Sequence, residues 1–252
     1  VVTANKALMA KYGDQLSKIA EKNKVNLEFE ASVCGGVPII RSLKESLIAN
    51  KITKIYGVLN GTSNYILSSM DKEKKGFQQV LSIAKKLGYA ESNPSADLNG
   101  DDVSSKLKIL SSLCFNSFLN DNIYVEGIKD IDTRDIYNAN NLGYKIKLMG
   151  FAELINNNIY QRVHPTLIKK NSYVASIDGV LNAVIIDGKP VGQSIIQGEG
   201  AGPAATTSAL ISDISSILRG NIKFPFSVSS KKRKKLKFKT IDESLFSAYL
   251  RF

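Results

Sequence analysis

The segment from Gly88 to Lys106 admits few conformations, and the rest of the chain has to be arranged around it. It runs Gly88-Tyr89-Ala90-Glu91, then past Pro94 to Asp97-Leu98-Asn99-Gly100-Asp101-Asp102-Val103-Ser104-Ser105-Lys106. Gly88 and Pro94 break its first half into turns, which leaves Glu91 and Asp97 in irregular backbone. Asn99 or Asp101 is a suitable N-cap for the helix that follows. Asp102 and Lys106 stand four apart in that helix and share a face. A pocket that gathers these carboxylates around one ammonium can bind an amino acid and hand it a proton. Taken alone, the Asp102/Lys106 spacing is equally that of an ordinary surface ion pair.

The 252 residues suffice for one or two domains. No apolar run is long enough to span a bilayer, and no signal-peptide pattern opens the chain, so no membrane partner is expected. Cys34 and Cys114 have neither metal-site spacing nor a C-x-x-C pattern. They fit free thiols in a reducing cytoplasm. The chain opens at Val1 in what reads as mid-domain sequence, as a piece of a longer protein would. A net charge of +11 raises nucleic acid as a partner. The charge is concentrated, however, in Lys231, Lys232, Arg233, Lys234, Lys235, Lys237 and Lys239. That run reads as a solvated linker, with a patch for anionic partners as the alternative, and no nucleic-acid partner is expected.

The elements follow from periodicity. A strand end over 1–5 leads to a helix over 7–12, with Gly13 as its stop and Asp14 as a fresh cap. Lys6 lies just past a strand's carboxyl end, where ligands bind in open α/β sheets. Over 26–33, Leu27, Phe29, Ala31 and Val33 alternate with Glu28, Glu30 and Ser32, which predicts a strand. The turn Cys34-Gly35-Gly36-Val37-Pro38 follows, then a helix burying Ile39, Ile40, Leu43 and Leu47. A carboxylate ahead of such a turn can offer a cation one side-chain oxygen and several carbonyls. A plain strand–turn–helix fits the same spacing. Further strands are expected over 52–59 and 123–128, and helices over 64–74, 77–87 and 133–140. Strands 145–154 and 159–168 are joined at Asn156-Asn157-Asn158. A hairpin over 180–186 and 191–196 turns at Asp187-Gly188. His164, the single histidine, reads as structural. Gly198-Glu199-Gly200-Ala201-Gly202-Pro203 opens a helix to about 219, and its glycines let backbone amides approach an anion or a flat ring. The arrangement is not the dinucleotide fingerprint. Residues 246–252 alternate like one more strand.

Taken together these motifs resemble homoserine dehydrogenase. The resemblance is carried by Val2-Thr3-Ala4-Asn5-Lys6, by Glu30 through Ile40, by Gly57-Val58-Leu59-Asn60-Gly61-Thr62-Ser63-Asn64-Tyr65-Ile66-Leu67 and by Gly88 through Lys106. Leu181-Asn182-Ala183 and Gly198 through Gly202 extend it. That family interconverts L-aspartate 4-semialdehyde and L-homoserine with NADP or NAD, on the route to threonine, isoleucine and methionine. The resemblance implies Lys106 as the acid/base, with Lys6 at the junction of cofactor and substrate. It implies Glu91, Asp97, Asp102, Tyr89, Gly61 and Thr62 around the substrate. Thr3, Lys6, Glu199, Gly200 and Gly202 would face the cofactor. Glu30 and the carbonyls of Val33, Gly35 and Val37 would hold a sodium or potassium ion. It also implies a cytoplasmic homodimer. Cys34 stands where the family usually has alanine or glycine, and the family's amino-terminal nucleotide-binding half has no counterpart in these residues.

The expected fold is therefore α/β. Residues 1–25, joined by the helix over 203–219, would be the tail of a Rossmann-type domain. Residues 26–197 would form a substrate and dimerisation domain, a mixed sheet covered by helices. Residues 220–244 would be a basic linker and 245–252 the start of a regulatory domain. The alternative function is an inactive, truncated domain that binds an amino acid or a partner subunit.

Overall fold

Twelve-residue strands at the centre of one sheet set the frame for everything else. In the computed structural model, residues 1–220, 224–243 and 247–250 are described. Helix α1 (Lys6–Lys22) starts at Asn5, whose Oδ1 accepts the Leu8 N–H. It runs straight through Gly13, where a stop was expected. Gly13 is buried there, and a Cβ would stand 3.0 Å from the Phe226 ring and 3.1 Å from Leu119. Tertiary packing, not a helix end, accounts for that glycine.

The strand expected over 26–33 does not form. Among the described residues its only pairing is a single parallel bridge between Val2 and Glu28, and Glu30–Ser32 is a 3-10 turn. The alternation has another cause. Glu28 and Glu30 are both buried: Glu28 pairs with Lys44 at 2.8 Å, and Glu30 accepts the N–H groups of Ile40 and Arg41. Those amides open α2 (Ile39–Arg41), which passes into a π turn over Ser42–Ser46.

Next come β1 (Lys51–Val58), α3 (Gly61–Glu73), α4 (Phe77–Lys86), α5 (Ser95–Asn99) and α6 (Asp101–Phe115). They are followed by β2 (Tyr124–Val125), α7 (Thr133–Asn141), β3 (Tyr144–Ile155) and β4 (Asn158–Lys169). The chain continues with β5 (Leu181–Lys189), β6 (Gly192–Glu199), α8 (Pro203–Arg219) and β7 (Lys237–Lys239). The sheet order is β2–β4–β3–β1–β5–β6, and β7 also pairs with β4. β2 and β7 run parallel to β4, and the other pairs are antiparallel, so the sheet is mixed. The β3–β4 turn uses Asn156 and Asn157, both left-handed at φ 49° and 60°, as a two-residue hairpin loop requires. The β5–β6 hairpin forms, but not around Asp187-Gly188. Those residues stay in β5, opposite Gln193 and Gly192, because β5 also pairs with β1 as far as Lys189.

Helices cover one face of the sheet. Gly150 in β3 lets α6 approach closely, since a Cβ there would stand 3.1 Å from Val103 and 3.6 Å from Leu107. Ile55, Leu148, Ala152 and Val163 of the sheet join Ile66, Met70, Leu107 and Leu110 of α3 and α6 in one core. The opposite face carries a separate cluster of Val58, Met149 and Phe151. There Phe151 stacks on Tyr56 at 5.9 Å and on His164 at 5.7 Å, which gives the histidine a packing role.

The basic run is not a uniformly solvated linker. Phe226 is buried against Phe29, their ring centres 5.3 Å apart. Arg233 is 6% exposed. It pairs with Asp14 at 2.7 Å, donates to Ser112 Oγ and to the Ser117 carbonyl, and lies over the Phe118 and Phe226 rings. The segment thus straps α1 to the end of α6. Phe246, Arg251 and Phe252 of the expected terminal strand lie outside the described residues. Tyr249 Oη accepts from Asn138 and donates to Asp135, both on α7.

Candidate functional site

Three elements deliver charge to one place. α5 ends at Gly100, whose left-handed φ of 89° allows α6 to start at once in a new direction. Neither Asn99 nor Asp101 caps α6 through its side chain, because Gly100 occupies the cap position. One turn along α6, Asp102 and Lys106 meet as their spacing predicts. Lys106 Nζ lies 2.7 Å from Asp102 Oδ2. The pair is buried rather than a surface decoration, with Asp102 5% and Lys106 7% exposed. Lys6, the first residue of α1, places Nζ 2.9 Å from Asp102 Oδ1. One carboxylate therefore faces two ammonium groups.

The end of β1 supplies the remaining contacts. The Leu59 carbonyl accepts from Lys106 Nζ at 2.7 Å and from Asn182 Nδ2 at 2.9 Å. Asn60 Nδ2 donates to Asp97 Oδ1 and to Asp102 Oδ2. Burial by itself would raise the Asp102 carboxyl, but Lys106, Lys6 and Asn60 outweigh it and hold it at about 2. Burial discourages the Lys106 ammonium, and Asp102 overcomes this, leaving its pKa above the ordinary lysine value. Asp97 is pushed up, first by burial and also by the neighbouring Asp102, although Asn60 works against this. A lysine ammonium has three N–H bonds. Two of Lys106's point to Leu59 and Asp102, which leaves one for an oxygen arriving from outside.

A cleft of about 620 Å³ opens over this cluster. Of the residues expected around a substrate, Glu91, Asp97, Asp102, Tyr89, Gly61 and Thr62 all line it, with Lys6 and Lys106. Glu91 and Tyr89 are exposed at its rim, and Thr62 Oγ1 ties Tyr89 down by donating to its carbonyl. From the cofactor set Glu199, Gly200 and Gly202 line the other wall, ahead of α8. Thr3 does not line the cleft. Its Oγ1 accepts the Asn5 N–H just before α1. Gly200 makes room for Asn182: a Cβ there would stand 2.1 Å from its amide.

Glu30, Val33 and Val37 are buried and do not line the cleft, whereas Gly35 reaches its lining. Both Glu30 oxygens already accept backbone N–H groups, and the Val37 carbonyl accepts from Ile39. Burial still pushes the Glu30 carboxyl up to about 7. A buried carboxylate suits a hard alkali cation, which would favour its ionised form. Among the described residues no cluster of three or more His, Cys, Asp or Glu could hold a metal.

Sequence reasoning missed the clamps. Asn60 and Asn182 carry the family resemblance in the sequence without a role of their own. Cys34 was not placed in the cleft, yet it lines it in a left-handed conformation with φ 55°. The signal for Asn60 was present, since asparagine is among the best helix caps and directly precedes a helix.

A family profile described as homoserine dehydrogenase matches residues 38–215. A homoserine dehydrogenase of Neisseria gonorrhoeae is 46% identical over 220 residues, which is 87% of this chain and 51% of that protein. One from Helicobacter pylori is 46% identical over 219 residues, 86% of this chain and 52% of that protein. Among solved structures, a homoserine dehydrogenase from Thiobacillus denitrificans superposes with a TM-score of 0.91 at 40% identity, covering 95% of this chain and 57% of that one. A hyperthermophilic archaeal homoserine dehydrogenase in complex with NADPH superposes with a TM-score of 0.75 at 28% identity, covering 89% of this chain and 65% of that one. The chain spans about half the length of the curated relatives it matches. No helix among the described residues is long and apolar enough to cross a membrane.

Proposed function

The chain belongs to the homoserine dehydrogenase family, and we propose that it carries the substrate-binding and proton-transferring part of such an enzyme. The reaction is the interconversion of L-aspartate 4-semialdehyde and L-homoserine with NADP or NAD. The observation that carries this reading is the buried Lys106 ammonium, charged by Asp102 and keeping one N–H for the cleft.

As the aldehyde carbon is reduced, negative charge develops on its oxygen. Lys106 stabilises that charge and donates the proton, and a charged lysine suits this direction at neutral pH. In the oxidative direction Lys106 must first lose its proton, so Asp102, which holds that proton on, favours the reductive direction. Lys6 supplies a second positive charge, matched by the same carboxylate. Asp97 and Glu91 receive the substrate's α-ammonium and fix which end meets Lys106. The nicotinamide cofactor, when bound, supplies or accepts the hydride. Gly202, with open space around it, gives its face close access to the backbone, and the start of α8 favours its anionic groups.

Residues 1–25 and α8 are proposed as the seam to a nucleotide-binding unit, with 26–197 as the substrate and dimer unit. Glu30 with Val33, Gly35 and Val37 is proposed to hold sodium or potassium. The sheet face bearing Tyr56, Phe151 and the exposed Ile195 is proposed as the homodimer surface. The test is NADPH oxidation with aspartate semialdehyde by the protein carrying its amino-terminal nucleotide-binding half, beside its Lys106→Met variant. Turnover abolished by the variant supports the reading. Equal turnover by both refutes it. Homoserine binding without turnover in the parent favours the second reading, a binding module, which the half-length coverage keeps in play.

A further inference from the structure

The turn after β1 contains a side chain with more work than a cap requires. Asn60 is 4% exposed, and its whole amide is engaged. Its Oδ1 accepts the Ser63 N–H at 2.8 Å and closes the first turn of α3. Its Nδ2 donates to Asp97 Oδ1 at 2.7 Å and to Asp102 Oδ2 at 2.9 Å. Two carboxylates held by the same nitrogen lie close enough to disfavour each other's charge. Of the short capping residues, serine, threonine, aspartate and asparagine, only asparagine has two N–H donors. The position therefore asks for a cap and a double donor at once.

The two acids so held are not alike. Asp102 is matched by Lys6 and Lys106. Asp97 has no lysine or arginine within ion-pair distance among the described residues, and it lines the cleft. A cationic ligand is therefore drawn to Asp97 and not to Asp102. We propose that Asn60 is a positioning residue for the reaction: its amide keeps Asp102 turned to the two lysines and Asp97 turned to the substrate's α-ammonium. This rests on the reading of the cleft as the homoserine site.

Asn60→Asp separates this role from capping. Aspartate caps a helix about as well as asparagine, so α3 keeps its start. The two donors become a third carboxylate against Asp97 and Asp102. Losing a charge-assisted hydrogen bond should raise the KM for homoserine roughly ten- to hundredfold at pH 8, with a smaller fall in kcat. Three carboxylates in contact retain a proton to higher pH, and the introduced carboxyl, once protonated, regains one donor. The KM defect should therefore shrink as pH falls from 8 to 6. Asn60→Ser, which caps but offers a single donor and no charge, should raise KM without that recovery. If Asn60→Asp misfolds by circular dichroism, Asn60→Ser carries the test through KM alone. An unchanged KM across this pH range in the folded variants overturns the assignment of Asn60 while the parent's activity stands. A parent that neither binds nor turns over homoserine overturns the reading of the cleft, and this inference with it.

Discussion

Replacing Lys106 with methionine keeps most of the side chain's length and removes its charge, which makes the pH dependence of stability the decisive readout. In the native protein the Asp102 carboxyl lies at about 2 instead of 3.8. That depression corresponds to roughly 2 kcal/mol of stability at neutral pH. Its folded pKa is below the unfolded one, so this stability is fully present above about pH 4 and is lost as pH falls through about 2. The raised pKa of Lys106 describes the same pair and adds nothing to the sum. In Lys106→Met the leading charge that lowers Asp102 is gone, and burial of that side chain, 4% exposed, dominates. The carboxyl is then expected to rise past its unfolded value, against the remaining pull of Lys6 and Asn60, and the sign inverts. The variant keeps this contribution below about pH 4 and loses it as pH rises. Left with Lys6 alone, which is 44% exposed, the buried Asp102 charge should lose part of the roughly 3–5 kcal/mol that breaking a buried pair costs at neutrality. Urea midpoints from pH 4 to 8 should therefore diverge, with native and variant closest at acid pH and furthest apart at pH 8. Adding Asp102→Asn to Lys106→Met should abolish the divergence. In the complete enzyme the same substitution should lower kcat by roughly 10²- to 10⁴-fold while KM changes little. Parallel stability curves for native and variant would show that Asp102 does not depend on Lys106, and the reading that this pair keeps Lys106 charged would fall with it.

Burial raises Glu30 to about 7, so its contribution to stability is present below its ordinary 4.5 and fades as pH climbs through 7. Sodium should oppose that loss: replacing tetraethylammonium chloride by sodium chloride at equal ionic strength should raise the thermal midpoint at pH 8 and not at pH 5.5. Equal shifts at both pH values would remove Glu30 from the cation site. Arg233→Met should cost about 1–3 kcal/mol in urea unfolding, because Asp14 loses its cation and keeps only the Leu119 N–H, and the Ser117 carbonyl keeps only the Ser112 hydroxyl. Arg233→Lys should recover only part of this, since one ammonium cannot reproduce the fork that reaches Asp14, Ser112 and Ser117 together. Sedimentation at micromolar concentration should show a dimer, and a monomer with native circular dichroism would reject the sheet face as its interface.

Periodicity located most elements because most of them bury one simple face. The 145–168 hairpin and the helices over 77–87 and 203–219 follow directly from it. It failed over 26–33, where Glu28 and Glu30 mimic the solvent side of a strand while one is buried against Lys44 and the other on the amides of α2. Alternation records a polar neighbour at every second residue and does not distinguish water from a buried partner. Gly13 and the Asp187-Gly188 pair failed for a related reason. Each is a strong local signal overridden by a contact distant in sequence: Phe226 in the first case and the β1 ladder in the second. In the site, the i,i+4 spacing gave the Asp102/Lys106 pair outright. The second ammonium from Lys6, the shared Leu59 carbonyl and the Asn60 clamp each join segments dozens of residues apart, and no local pattern encodes such a meeting.

That convergence also explains why a basic strap far from the cleft bears on the chemistry. Lys6 reaches Asp102 only if the start of α1 and the start of α6 stay in register. The two helices are tied at their other ends. Arg233 binds Asp14 in the middle of α1 and, through Ser112 and Ser117, the end of α6. Glu21, near the last turn of α1, accepts from Ser229 and Ser230 of the same segment. Helices are stiff, so fixing α1 at Asp14 and Glu21 and α6 at Ser112 limits how far their opposite ends can slide. The register of two lysines on one carboxylate is thus set by the carboxy-terminal strap as well as by the cleft itself. A change in the strap's seating would alter the charge around Lys106 without touching any residue that lines the cleft.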